Sequence, residues 1–253
     1  MSDTARATDE LVALGTELIE AAGRRGSGLR LLGGVAFWLN SPRGREVASL
    51  SRPYKDLDFA AVRKGSRVLP DVFARLGWEA DARFNALHGA TRLLFFHGGD
   101  LQADIFLGSF EQCHRLEFGA RILRQPLTLP LGELLLTKLQ VRQLNEKDAQ
   151  DTLSLLLDHD FGQEMPAELP ELDTIARVVG AEWGWYTTCL DSLVSLGQAA
   201  DRLLSGPERD VAVARLEWIR DAIEQAPKSR RWRLRSMVGR RWPWYEEPEE
   251  VNR

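Results

Sequence analysis

Two aspartates stand one residue apart in Lys55-Asp56-Leu57-Asp58-Phe59. Residues two apart in a strand point to the same face. Asp56 and Asp58 therefore project together, while Leu57 and Phe59 turn toward a core. Paired carboxylates raise each other's pKa unless a cation lies between them. Hard oxygen donors of this kind suit Mg²⁺, which takes a few carboxylates together with substrate phosphates. By itself, a D-x-D pair more often marks two solvated acids on a strand edge. Gly33-Gly34 follows the apolar run Leu29–Leu32 and precedes a helical pattern. Glycine there lets the backbone approach a ligand, and the helix start that follows offers N–H groups to phosphate; a tight turn would use the same residues. Asp104, in Gln102-Ala103-Asp104-Ile105-Phe106, is an acid within an apolar strand, where an unpaired carboxylate is costly. It requires either a salt-bridge partner or a cation shared with Asp56 and Asp58.

A second group lies further along. Lys138 and Arg142 are four apart on a helical pattern, as are Lys147 and Asp151, with Asp148 beside them. Ordinary helix salt bridges account for such spacing. Lys138 differs because Leu134, Leu135, Leu136 and Leu139 surround it, so it either snorkels outward or reaches a phosphate. Lys228–Arg241 reads KSRRWRLRSMVGRR and holds no acid. Trp232 and the arginines there suit stacking on bases and gripping phosphates. The competing reading is a basic helix paired with the acidic tail Glu246-Glu247-Pro248-Glu249-Glu250. Trp183, Trp185 and Tyr186 either line an acceptor pocket or fill a helical core. His88, His97, His114 and His159 show no ligand spacing and receive no role.

The elements that must carry these residues follow from periodicity and punctuation. Thr8–Ala22 has helical spacing of its apolar residues, with Thr8 as N-cap and Gly23 as stop. Leu29–Leu32 and Asp56–Val62 read as strands, and Ser41–Pro53 as an exposed loop rich in Pro, Gly, Ser and Arg. Ser66–Leu76 reads as a helix. Trp78–Asp81, Thr91–Phe96 and Leu101–Leu107 follow as strands, the last two joined by a turn at His97-Gly98-Gly99-Asp100; Phe118–Leu123 adds a further strand. After Pro130 the texture becomes helical, over Leu131–Leu144, Glu146–Leu157, Ile175–Val179, Leu190–Leu204 and Val211–Ile223. The expected fold class is α+β: a small mixed β-sheet domain flanked by helices over 1–160, then a mainly helical C-terminal domain over 161–253. The break falls within His159–Pro170.

Composition narrows the function classes. The 253 residues are 44% hydrophobic and 28% charged, the balance of a soluble globular protein. A net charge of -4 offers no bulk attraction to nucleic acid, so any basic surface is local. Two cysteines exclude a disulfide framework or a paired-cysteine zinc motif and fit a reducing cytoplasm. Met1–Glu10 lacks the pattern of a secretory signal. No run approaches the ~20 apolar residues that cross a bilayer, so no membrane is expected.

The order "LLGGVAFWL … RPYKDLDFA … ADIF … LLLTKLQVRQLNEKDAQD" resembles the nucleotidyltransferase superfamily that includes DNA polymerase beta. That superfamily pairs a Gly-Gly or Gly-Ser turn with an acid-x-acid strand and a third acid on a later strand. Gly33, Gly34, Asp56, Asp58 and Asp104 match position by position. The later helices resemble the AbiEii and MenT toxin branch, through Lys138 on one helix and Lys147, Asp148 and Asp151 on the next. "RPYKDLDF" is also similar to aminoglycoside nucleotidyltransferases. The resemblance covers Leu29 to Asp158, with an insertion at Ser41–Arg52.

It implies transfer of a nucleoside monophosphate from an NTP to a hydroxyl acceptor, with pyrophosphate leaving. Asp56, Asp58 and Asp104 would be the catalytic, metal-holding acids of a two-Mg²⁺ site. Gly33, Gly34, Lys138, Lys147 and Asp148 would serve nucleotide binding. The toxin branch implies an RNA end such as that of tRNA as acceptor and an antitoxin protein as partner. The antibiotic-modifying branch implies a small hydroxylated acceptor. A non-catalytic nucleotide-binding scaffold is the competing class, and a DNA-binding regulator ranks last.

Overall fold

The computed structural model describes residues 3–160 and 171–247. The fold is α+β, as the sequence implies. The chain groups into two units. The first comprises the described residues up to Leu39, Arg52–Phe110 and Leu116–Pro130. The second comprises Asn40–Ser51, Glu111–Arg115 and the described residues from Leu131 onward. The grouping thus draws its line at Pro130, where Lys138 and Asp148 fall with the helices that follow. The break expected within His159–Pro170 lies largely outside the described residues.

The first unit begins with α1 (Asp3–Arg24), β1 (Leu29–Leu32) and α2 (Gly33–Leu39). It continues through β2 (Asp56–Ala61), α3 (Leu69–Arg75), β3 (Glu79–Ala80) and α4 (Ala82–His88). β4 (Arg92–His97) and β5 (Leu101–Leu107) complete a five-stranded sheet of order β1-β2-β5-β4-β3. Only the β2–β5 pairing is parallel. β6 (Ser109–Glu111) and β7 (Arg115–Glu117) form a separate ribbon.

Alternation along the strands sorts the two faces. One face carries Leu57, Phe59, Phe95 and Ile105, all buried. There Phe73 of α3 stacks on Phe95 at 4.5 Å and meets Phe59 edge-on at 6.0 Å. α1 closes the same face, its Gly15 leaving room for Leu31. The other face bears the acids.

Several expectations need correction. Phe118–Leu123 is not a strand: Phe118 N–H donates to Gly108 O, and after Gly119 the chain tightens into a 3-10 turn at Ala120–Arg124. α4 was not foreseen; Asp81 caps it, and the Asn85 amide bonds both backbone groups of Leu94, pinning the helix to β4. Ser41–Pro53 is not simply exposed. Ser41 and Leu50 are buried, and a 3-10 turn at Gly44–Glu46 is held where the amides of Arg43 and Gly44 donate to Asp158.

The second unit holds α5 (Leu131–Leu139), α6 (Glu146–Asp158), α7 (Glu171–Ala181), α8 (Trp183–Leu203), α9 (Gly206–Gln225) and α10 (Arg230–Val238). α5 stops five residues short of the expected Leu144. Ser192 Oγ donates to the carbonyl of the helix's last residue, Leu139, and to that of Val141 just beyond it. Arg142 therefore leaves the helix, and its guanidinium lies 3.5 Å from Asp191 rather than four positions along from Lys138. Among the described residues no helix is long and apolar enough to cross a membrane.

Candidate functional site

The sheet's polar face assembles from register. β2 and β5 align Asp58 with Asp104 and Asp56 with Gln102. Paired residues of neighbouring strands share a face, so Asp56, Asp58, Asp104 and Gln102 stand together on the side opposite Phe59. Asp56 and Asp58 are half-buried; Asp104 is 4% exposed.

Gly33-Gly34 is fitted against this face. Gly33 follows Leu32, which pairs with Asp58, and has φ +68°, a left-handed conformation that glycine adopts without penalty. A Cβ at Gly33 would lie 2.1 Å from Asp58 Oδ2. At Gly34 a Cβ would meet the Tyr54 ring at 2.5 Å and the Arg52 guanidinium at 2.6 Å, and that guanidinium rests 4.1 Å over the Tyr54 ring. The glycine pair is thus required by close approach to Asp58, Tyr54 and Arg52 as well as by the turn.

Asp104 resolves the alternative left open by its sequence. Arg92 donates from Nε to Oδ1 at 2.7 Å and from Nη2 to Oδ2 at 2.8 Å, and Gln102 Nε2 adds a bond to Oδ2 at 2.8 Å. Arg92 also lies over the rings of Phe106, at 4.9 Å, and Phe84, at 5.5 Å. The buried carboxylate is compensated by a forked ion pair, as its burial demands. Arg92 and Gln102 were not anticipated. The signal existed: antiparallel pairing about the His97–Asp100 turn brings β4 beside Asp104, and Gln102 is two residues away on the same face.

The residue chemistry suits a divalent cation in part. Asp56 and Asp58 carry hard oxygen donors on one face, and Asp104 is held by Arg92 and Gln102. Among the described residues, no group of three or more His, Cys, Asp or Glu is arranged to hold a metal ion.

Lys138, Lys147 and Asp148 belong to the helical unit. Asn145 Oδ1 caps α6 by accepting from the amide of Asp148. Lys138 Nζ lies 2.6 Å from Asp148 Oδ1 and 3.1 Å from Asp151 Oδ2. Burial lowers the Lys138 pKa, but the charges of Asp151 and Asp148 outweigh it and hold the ammonium above the ordinary lysine value. Lys138 does not snorkel: it is enclosed with its two acids. Asp151 thus partners Lys138, while Lys147 is exposed.

The histidines carry no shared site. His114 stacks on Trp185 at 5.1 Å and shares a 2.8 Å hydrogen bond with Thr188 Oγ1. Burial pushes its pKa down to about 4. Cys113 and Cys189 are buried and their thiols are pushed up by burial, so neither is a ready thiolate.

No protein-family model matches the chain. No curated protein matches it in sequence either. Two solved structures are similar to it in backbone course. JHP933 from Helicobacter pylori is 13% identical, with TM-score 0.40 over 89% of this chain and 95% of that one. A candidate nucleotidyltransferase from H. pylori is 13% identical, with TM-score 0.38 over 90% of this chain and 100% of that one.

Proposed function

We propose that this protein is a metal-dependent nucleotidyltransferase that moves a nucleoside monophosphate from an NTP to a hydroxyl acceptor, releasing pyrophosphate. The observation that carries the reading is the seat of Gly33 against Asp58, on the face that Asp56 and Asp104 share. A salt-bridged or solvated strand edge has no need of a backbone so close to a carboxylate.

Asp56 and Asp58 would hold Mg²⁺, which when bound neutralises triphosphate charge and makes an acceptor hydroxyl easier to ionise. Gly33 and Gly34 let the backbone pass directly against Asp58, Tyr54 and Arg52, which brings the phosphate-facing loop close to the acids that would hold the metal. The Arg52 guanidinium beside Gly34 adds a cation for the same anion. Asp104 takes the acceptor's proton on a carboxylate oxygen once Arg92 releases it. In the helical unit, Asp148 and Asp151 fix Lys138 as a charged ammonium at any physiological pH. The likeness in motif order to the AbiEii and MenT branch adds an RNA end as acceptor and an antitoxin as partner. The likeness to aminoglycoside enzymes adds a small hydroxylated acceptor.

One observation favours a second reading, a scaffold that binds nucleotide without turnover: Arg92 and Gln102 occupy both oxygens of the third acid.

The test is incubation of purified protein with each α-labelled NTP, Mg²⁺ and total RNA, resolved on a denaturing gel. Label in an RNA band, lost in Asp58→Ala, is the expected result. Pyrophosphate release with aminoglycosides and no labelled RNA would assign a small acceptor. Nucleotide binding with no pyrophosphate release from any acceptor would establish the scaffold instead.

A further inference from the structure

The helical unit carries a surface that nucleotidyl transfer at the sheet does not explain. α10 and the segment after it hold seven cations between Lys228 and Arg241 with no acid among them. Four are committed. Lys228 Nζ caps the end of α9 at Ile223 O and Ala226 O, Arg231 pairs with Glu182, Arg235 donates to Gly239 O and Trp242 O, and Arg240 pairs with Asp191. The side chains of Arg230, Arg233 and Arg241 are exposed and, among the described residues, paired with no carboxylate. None of the seven pairs with Glu246 or Glu247, the described acids of the tail expected to neutralise them.

Large apolar groups are exposed on the same stretch: Leu234 is 64% exposed, Met237 74% and Trp242 67%. Beside them opens a cleft of about 990 Å³, into which Leu234 and Arg235 of α10 face. Its lining also includes the rings of Trp183, Trp244 and Tyr245 and the acids Glu111, Glu182 and Glu246. Trp183 and Trp244 meet edge-on at 6.2 Å, and the Arg235 guanidinium lies 4.9 Å over the Trp183 ring. The cleft is large enough for more than one planar ring.

Cations without a carboxylate partner, on the same stretch that sends Leu234 and Arg235 into an aromatic-lined concavity, fit one chemistry. Unpaired arginines grip a phosphate backbone, and aromatic faces stack on bases that are not paired. A duplex keeps its bases inside the stack and offers no ring to the cleft. A lipid surface meets convex apolar faces, whereas these rings line a hollow. An acidic peptide would use the arginines but not the aromatic lining.

We propose that the helical unit binds a single-stranded polynucleotide through Arg230, Arg233 and Arg241, with bases stacking in the cleft of Trp183, Trp244 and Tyr245. This site stands without the proposed chemistry at the sheet.

The test is fluorescence anisotropy of the full chain with labelled single-stranded RNA, single-stranded DNA and duplex RNA of equal length, at two salt concentrations. Both single strands should bind in preference to duplex and quench tryptophan fluorescence, and the tighter one names the natural ligand. The triple change Arg230→Ser, Arg233→Ser, Arg241→Ser should weaken binding by roughly an order of magnitude at moderate salt and flatten the salt dependence by about 2 log units per log unit of salt. Circular dichroism should show that variant folded. Trp242→Ala, a change at an exposed ring, supplies an independent variant with a smaller expected loss. The proposal is overturned by absence of single-strand binding, by equal duplex binding, by unaltered affinity in the triple variant, or by binding to anionic vesicles alone. Failure here leaves NTP transfer open, and absence of transfer leaves this site open.

Discussion

Arg92 and Asp104 meet in a two-point ion pair across adjacent antiparallel strands, Nε to Oδ1 at 2.7 Å and Nη2 to Oδ2 at 2.8 Å. The acid is almost wholly buried, whereas the arginine side chain is 29% exposed. Removing the arginine strands a carboxylate in the sheet. Arg92→Ala should therefore lower stability by about 2–3 kcal/mol, read as a shifted urea midpoint. Asp104→Asn in that background should recover part of the loss, because the buried charge is gone. If the double variant is no more stable than Arg92→Ala, the pair does not compensate Asp104.

Gly33 and Gly26 separate two costs of substitution. Both have positive φ, +68° and +77°, but a Cβ at Gly26 has nothing within 4 Å whereas one at Gly33 strikes Asp58. Gly26→Ala should cost about 1 kcal/mol, from backbone conformation alone. Gly33→Ala should cost about 2–4 kcal/mol, since the clash adds to the same strain. Thermal unfolding of the two variants checks the order, and equal losses would mean that Asp58 moves aside freely.

Lys138 predicts a contrast among its neighbours. Asp151 is fully buried against the Lys138 ammonium, and Lys147 one turn earlier is exposed. Asp151→Ala should cost about 3–4 kcal/mol, whereas Lys147→Ala should stay within about 0.5 kcal/mol. Because the folded-state pKa of Lys138 is raised, its stabilisation is fully present below the ordinary lysine value of 10.5 and is lost as pH rises through the higher folded value. Denaturant midpoints should therefore hold across neutral pH and fall in strong alkali, less so in Lys138→Met.

The acid strand and its neighbours were legible because a half-buried strand writes its faces into alternate residues: Leu57 and Phe59 inward, Asp56 and Asp58 outward. Gly33-Gly34 was legible as a turn, but not its contact with Asp58, which depends on β1–β2 pairing that no local pattern encodes. The partner of Asp104 was legible in principle, through the hairpin turn at His97–Asp100, but it needs the register as well as the turn. Arg92 is twelve residues away, and only the β4–β5 register brings them together. In the helices, four-residue spacing pointed to Lys147 with Asp151. Burial decided otherwise, since the acid that faces inward meets the one lysine enclosed there. The end of α5 was set by Ser192, more than fifty residues away.

His114 gives a test of packing in the helical unit through acid titration. Its ring lies against Trp185 and shares a hydrogen bond with Thr188, and burial holds its pKa at about 4 against an ordinary 6.5. Between those values the unfolded chain binds a proton that the folded chain refuses, so stability falls as pH drops from 6.5 toward 4 and the loss is complete below that. The single-site contribution is at most ~3 kcal/mol. His114→Gln, which keeps a polar side chain of similar reach without a titrating ring, should remove that share of the acid slope while leaving the neutral-pH midpoint lower by about 1 kcal/mol. Two-dimensional NMR of the imidazole should give a midpoint near the folded value. A midpoint close to 6.5 would mean that the ring is solvated, and the variant's pH profile would then match the wild type.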